Sequence, residues 1–139
     1  VLEPSAGLGR LVVEIRKHRP AEVVAVEQSR ECAEELYRMD EGLILYTRDF
    51  LEQTPQSLGR MFDRVVMNPP FKMRRDLKHI EHALGFLKPG GTLAGLCLAG
   101  PIREQALRSH CDHWETVPAG EFRAEGTGVE TILFRIRKP

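Results

Sequence analysis

The sequence lacks an excess of either charge: 20 Lys+Arg stand against 20 Asp+Glu in 139 residues, and the formal net charge is zero. That balance excludes a protein that wraps nucleic acid through its overall charge, so any such contact must come from a local basic patch. Long apolar runs are missing too. The longest uncharged stretch, Pro89 to Ile102, is broken by four glycines and two prolines, whereas a bilayer-spanning helix needs about 20 apolar residues. Cysteine is scarce. Cys32, Cys97 and Cys111 lie far apart and are odd in number, which excludes a disulfide framework and a CxxC metal site. Repeats, low-complexity tracts and interdomain linkers are absent as well. The expectation is a soluble, cytoplasmic protein with no membrane contact, in which residues 1–139 form one domain. A chain of this length buries roughly 68% of the surface it exposes when unfolded. No initiator Met or signal-like segment precedes Val1-Leu2-Glu3-Pro4, and Val1-Leu2 reads as the tail of a strand, so upstream residues are expected to complete it.

What is present is a regular alternation of strands and helices. Leu8, Leu11, Val12 and Ile15 recur at helical spacing, and Arg16, Lys17, His18 and Arg19 put cations at that helix's carboxyl end before Pro20 stops it. Val23-Val24-Ala25-Val26 is a continuous apolar run, as in a strand buried on both faces. Ser29 is placed to cap a second helix whose Ala33, Leu36 and Tyr37 are expected to face inward. Strands follow at Leu43–Tyr46 and Phe62–Met67. A third helix is marked by Leu77, Ile80, Ala83, Leu84 and Leu87, with Lys88-Pro89-Gly90 as its stop. A strand over Thr92–Leu98, a helix over Ile102–Cys111, and strands at Trp114–Val117 and Thr131–Ile136 complete the chain. Such alternation predicts a mainly parallel sheet covered by helices on both faces, with ligands bound at the carboxyl ends of the strands.

The turns after those strands carry the chemistry. Glu3-Pro4-Ser5-Ala6-Gly7-Leu8-Gly9 follows the first strand, and glycines two apart permit a tight turn that a ligand can approach closely. A plain Gly-rich turn and a dinucleotide site both remain open here, although Val12 stands where the dinucleotide motif has a third Gly or Ala. Glu27, 20 residues after Gly7, is a carboxylate at a strand end, suited to the hydroxyls of any nucleoside. The fourth strand decides between these readings. It runs into Asn68-Pro69-Pro70-Phe71, where two prolines forbid helix and withhold two N–H donors, leaving carbonyl acceptors in a stiff frame. Asn68 adds an amide oxygen acceptor, and Phe71 a flat face on which a base can stack for about 1–3 kcal/mol. Two acceptors and a stacking plate suit a planar substrate bearing an NH2 group.

In these motifs the sequence resembles the class I S-adenosylmethionine-dependent methyltransferases, and within them the amino-methylating group typified by DNA adenine N6-methyltransferases. The resemblance spans nearly the whole chain. It rests on Glu3 to Gly9, Val26-Glu27, Asp49-Phe50 and Asn68-Pro69-Pro70-Phe71. The stretches His79-Ile80-Glu81-His82-Ala83, Phe86 to Gly91 and Gly126-Thr127-Gly128 resemble a bacterial and phage-associated subset of that group. The fold implied is α/β and Rossmann-like: a doubly wound, mainly parallel sheet of about seven strands with an antiparallel C-terminal strand and helices on both faces. The cofactor implied is S-adenosyl-L-methionine. Glu3 would face its methionine ammonium, Pro4 and the backbone of Ala6, Gly7 and Gly9 would line its methionine and ribose portions, and Glu27, with Gln28 beside it, would accept the ribose hydroxyls. Asp49 would accept from the adenine amino group with Phe50 beside the ring. Asn68 and the Pro69 carbonyl would hold the substrate amine in line with the methyl group, within the rigid corner made with Pro70, while Phe71 stacks on its base. No nucleophile, dedicated base or metal is required. Adenine N6 in DNA is the leading substrate, and RNA bases, a protein glutamine amide, or an inactive cofactor-binding interaction module are the alternatives.

Lys72, Arg74, Arg75 and Lys78 follow Phe71 with only Asp76 opposing them, a candidate patch for substrate phosphates or a plain solvated face. Relatives in the DNA group carry a separate target-recognition region and a cofactor-covering helix before the first strand. Here a separate recognition partner or the expected upstream segment would supply target choice, and a homodimer is an alternative assembly. His79, His82 and the His110-Cys111-Asp112-His113 run show no second cluster of metal ligands and read as packing or surface groups. Cys97 and Trp114 read as packing, and Glu31, Glu34, Glu35, Asp40 and Glu41 as a solvated acidic face.

Overall fold

The computed structural model describes residues 1–121 and 128–139; of the Gly126-Thr127-Gly128 stretch, Gly126 and Thr127 lie outside the described residues. Seven strands form one sheet: β1 (Leu2–Glu3), β2 (Val24–Val26), β3 (Ile44–Tyr46), β4 (Phe62–Met67), β5 (Leu87–Leu98), β6 (Cys111–Val117) and β7 (Thr131–Arg137). Their spatial order is β3-β2-β1-β4-β5-β7-β6. Neighbours are parallel from β3 through β5, and β7 runs antiparallel to both β5 and β6. The doubly wound, mainly parallel sheet read from the sequence is therefore the observed one.

Alternation along β2 explains its unbroken apolar run. Val24 and Val26 enter the core on one face of the sheet, while Val23 and Ala25 enter the core on the other. Helices α1 (Arg10–Lys17) and α2 (Arg30–Met39) cover the second face with Val12, Ile15 and Leu36. Helix α3 (Arg75–Leu84) covers the first with Leu77, Ile80 and Ala83, and Leu107 of α4 (Pro101–Leu107) joins it. Each fully buried apolar side chain contributes about 1.5–3 kcal/mol of burial free energy, so the two cores rather than the short strands hold the sheet.

Several placements differ from the sequence reading, each for a local reason. Leu8 is 61% exposed because Gly9, at φ 83°, caps α1 only from Arg10 onward. Tyr37 is 66% exposed: Ala33 and Leu36 already complete the buried stripe of α2, and the next position turns to solvent. Helix α3 stops at Leu84, where Gly85 N–H donates to the His82 carbonyl, and Leu87 pairs with Phe62 in the sheet rather than extending the helix to Pro89. Helix α4 ends at Leu107, and Cys111 opens β6 opposite Ile136. Asp40 departs from the solvated acidic face, since Arg16 Nε donates to its Oδ2 at 2.7 Å.

The ends of α3 and β5 are locked together by a buried acid. Asp76 is fully buried; its Oδ2 accepts from Arg103 Nε at 3.1 Å and from the Leu98 N–H at 3.1 Å, and its Oδ1 accepts from Arg103 Nη2 at 3.0 Å. Asp76 thus faces inward and does not oppose the cations around it in sequence.

Candidate functional site

The direction of chain progression reverses between β1 and β4: the steps after β1 move through β2 to β3, and those after β4 move the other way. A crevice opens at the carboxyl ends of two strands that part in this manner. Four turns meet there.

Glu27, just past β2, holds the first turn. Its Oε2 accepts the Gly7 N–H at 2.7 Å and its Oε1 accepts the Ser29 N–H at 2.7 Å. An ionised carboxylate offers about four lone-pair positions, so acceptor capacity remains for a ligand. Gly7 adopts φ 52° with open space where a side chain would project, so its backbone conformation and not crowding demands glycine. Gly9 has a different task. A Cβ there would stand 2.5 Å from Met39 Cε and 2.6 Å from Leu36 Cδ2, so this glycine lets the turn close onto α2 and lines neither cavity described below.

Glu3 is 1% exposed. Its Oε1 accepts the Ser5 N–H at 2.9 Å, while Oε2 is buried with no hydrogen-bond partner. Burial, reinforced by the nearby Glu27 charge, pushes its carboxyl up to about 8. A buried oxygen without a partner leaves Glu3 able to accept from a cationic or donor group. Asp49 caps the short turn over Phe50–Glu52, accepting the Leu51 N–H at 2.9 Å.

These groups surround two cavities. The first, about 450 Å³, is bordered by Glu3, Ser5, Ala6, Gly7, Leu8 and Asn68, with Arg10 and Leu11. The second, about 240 Å³, is bordered by Pro4, Ser5, Glu27, Gln28, Asp49 and Phe50, and by Asn68 and Pro70 of the β4 turn. Asn68 is exposed and borders both. Pro69 is buried and Phe71 half-buried, and neither borders a cavity. Phe50 lies only 2% exposed in the core, so it meets the second cavity as part of a wall and not as a free ring.

Ser5, Arg48 and His79 also border these cavities, and sequence reasoning passed over them. His79 Nδ1 lies 3.2 Å from Ser5 Oγ, bridging the β1 turn to α3, and Nε2 is buried without a partner. Burial first, and Arg75 second, lower its affinity for a proton. Both histidines of this helix pack on Phe50, with ring centroids 5.8 Å away for His79 and 4.9 Å for His82. Cys97 is fully buried, and burial raises its thiol to about 12. Among the described residues no group of three or more His, Cys, Asp or Glu could hold a metal, and no helix is long and apolar enough to cross a membrane.

Residues 1–121 match the methyltransferase small domain family. The chain belongs to that family, a class of S-adenosylmethionine-dependent methyltransferases. No curated protein is close enough in sequence to count as a relative. Among solved structures, TrmN from Thermus thermophilus superimposes with a TM-score of 0.75 at 22% identity, over 99% of this chain and 43% of that one. The N-methyltransferase NodS from Bradyrhizobium japonicum gives 0.74 at 15% identity, over 99% and 84%. An rRNA methylase from Streptococcus thermophilus gives 0.68 at 12% identity, over 99% and 86%. These likenesses show a shared fold.

Proposed function

We propose that this domain transfers a methyl group from S-adenosylmethionine to an exocyclic amino group, with adenine N6 in DNA as the leading substrate. One observation carries the reading: Asn68 borders both cavities, meeting Glu3 and Gly7 in one and Glu27 in the other. The residues fit the cofactor. The orphaned Glu3 Oε2 suits an ammonium group, the Glu27 carboxylate suits paired ribose hydroxyls, and Asp49 and Gln28 border the smaller cavity, where an adenine would lie. NodS, of the same fold, has been solved with S-adenosylhomocysteine.

When bound, the cofactor supplies an electrophilic methyl on a sulfonium. The chain's own task is placement. The Asn68 side-chain oxygen accepts from the substrate NH2 and holds its lone pair toward the methyl; the Pro69 carbonyl and the Phe71 ring, which border neither cavity, join it where the substrate base seats beyond Asn68. Positioning of this sort is worth up to about 7–11 kcal/mol in well-oriented systems. Solvent at the exposed Asn68 receives the proton that the methylated amine sheds. A base in a duplex must first be flipped out, and Lys72, Arg74, Arg75 and Lys78 are placed to hold the flanking phosphates. RNA is the second reading, favoured by the shared fold with an rRNA methylase.

The test is transfer of tritiated methyl from S-adenosylmethionine into separate DNA, RNA and protein pools. Label is expected in DNA as N6-methyladenine, and Asn68→Ala should lower it by about a hundredfold while S-adenosylhomocysteine still binds. Label confined to RNA or to protein amides would replace the substrate, and binding without label in any pool would leave an inactive module.

A further inference from the structure

The segment after Phe71 carries a feature that methyl transfer does not use. Met73 and Arg74 are consecutive non-glycine residues in the left-handed region, at φ 52° ψ 37° and φ 57° ψ 27°, where side-chain-bearing residues are uncommon. Strain of this kind persists only where surrounding structure imposes it, and it clusters at ligand clamps. Met73, in this conformation, stands exposed. The side chain is 84% exposed, the highest value among the exposed large hydrophobic residues described.

Its neighbours are cationic. Lys72, Arg74 and Lys78 are exposed and Arg75 is half-buried, and none of the four forms an ion pair among the described residues. The one acid among them, Asp76, is consumed by Arg103. An unbranched, polarisable thioether flanked in sequence by cations that form no ion pair among the described residues suits a stack of bases edged by phosphates. Methionine is among the side chains that enter base steps as wedges.

We propose that Met73 is a wedge that enters the base stack of a duplex substrate and fills the gap left when the target base turns out toward Phe71. The inference rests on the reading of this site as a base methyltransferase. It gives the residue two positions past the stacking ring a separate duty. Phe71 receives the extruded base, Met73 stops the helix from closing behind it, and the cations hold the backbone on either side.

Native and heat-denatured DNA free of N6-methyladenine serve as paired substrates for the wild type, Met73→Ala and Met73→Leu, with S-adenosylhomocysteine binding measured alongside. Met73→Ala is expected to lose about tenfold or more in methyl transfer to native DNA, where a base must be unstacked, and less than about twofold on denatured DNA. Met73→Leu, still an apolar wedge, should keep most of the native-DNA activity. Equal losses on both substrates, no loss on either, or a wild type that labels only denatured DNA would each overturn the wedge. A wild type that binds the cofactor product but labels no DNA in either form defeats the reading of the site itself, a result separable from all of these.

Discussion

Asp76 and Arg103 form a two-point ion pair, at 3.1 and 3.0 Å, with the acid fully buried and the Arg103 side chain only 13% exposed. Because the same carboxylate also accepts the Leu98 N–H, it ties the start of α3, and with it the exit from the Asn68–Phe71 turn, to the end of β5. Asp76→Ala would leave a largely buried guanidinium and a backbone N–H unpaired. A loss of about 3–5 kcal/mol is expected in urea unfolding, with residual protein showing reduced methyl transfer.

Glu3 makes the stability of the chain pH-sensitive. Its carboxyl is raised from the ordinary value to about 8 by burial, so the folded chain holds a proton that the unfolded chain has released. Its stabilising contribution is fully present below the unfolded value near 4.5 and is lost as pH rises through about 8. Thermal melts from pH 5 to 9 should fall by a few kcal/mol in stability toward alkaline pH, and Glu3→Gln should flatten that slope. A cationic ligand group beside Glu3 favours the ionised form, so binding near neutral pH should release about one proton. Calorimetry in buffers of different ionisation enthalpy measures it.

Glu27→Gln tests the hinge between the first two turns. An amide can accept only through its oxygen, so its NH2 would face the N–H of either Gly7 or Ser29. The expected cost is about 1–3 kcal/mol in folding stability. S-adenosylhomocysteine affinity should weaken at least as much, and titration calorimetry beside thermal melts separates the two effects.

Gly7→Ala and Gly9→Ala form a matched pair, since both glycines have positive φ but only Gly9 is crowded, by Met39 and Leu36. The first should cost about 1 kcal/mol from backbone conformation alone, the second about 1–3 kcal/mol more from overpacking. Equal melting temperatures for the two variants would contradict the close approach of this turn to α2.

The strands and the turns that follow them were legible because a buried parallel sheet demands apolar runs and leaves its polar business to the strand ends. That logic brought Glu3, Glu27, Asp49 and Asn68 to one crevice from four separate turns. It reached less far where contacts span the chain. His79 meets Ser5 across 74 positions, and Asp76 meets Arg103 across 27, pairings that no local pattern encodes. A partial signal for His79 existed, since Leu77, Ile80 and Ala83 mark the buried face of α3 and His79 falls among them. Helix ends failed where a residue suited both neighbours, as Leu87 suits helix and strand alike.

A carboxylate fastened through both oxygens, as Glu27 is by Gly7 and Ser29, cannot swivel to follow what enters beside it. Its spare lone pairs point along fixed lines, so a sugar with adjacent 2′ and 3′ hydroxyls would meet them together and a deoxy sugar would leave one unserved. Stiffness at this single side chain would then favour a nucleoside that carries both hydroxyls over a free deoxynucleoside at this berth.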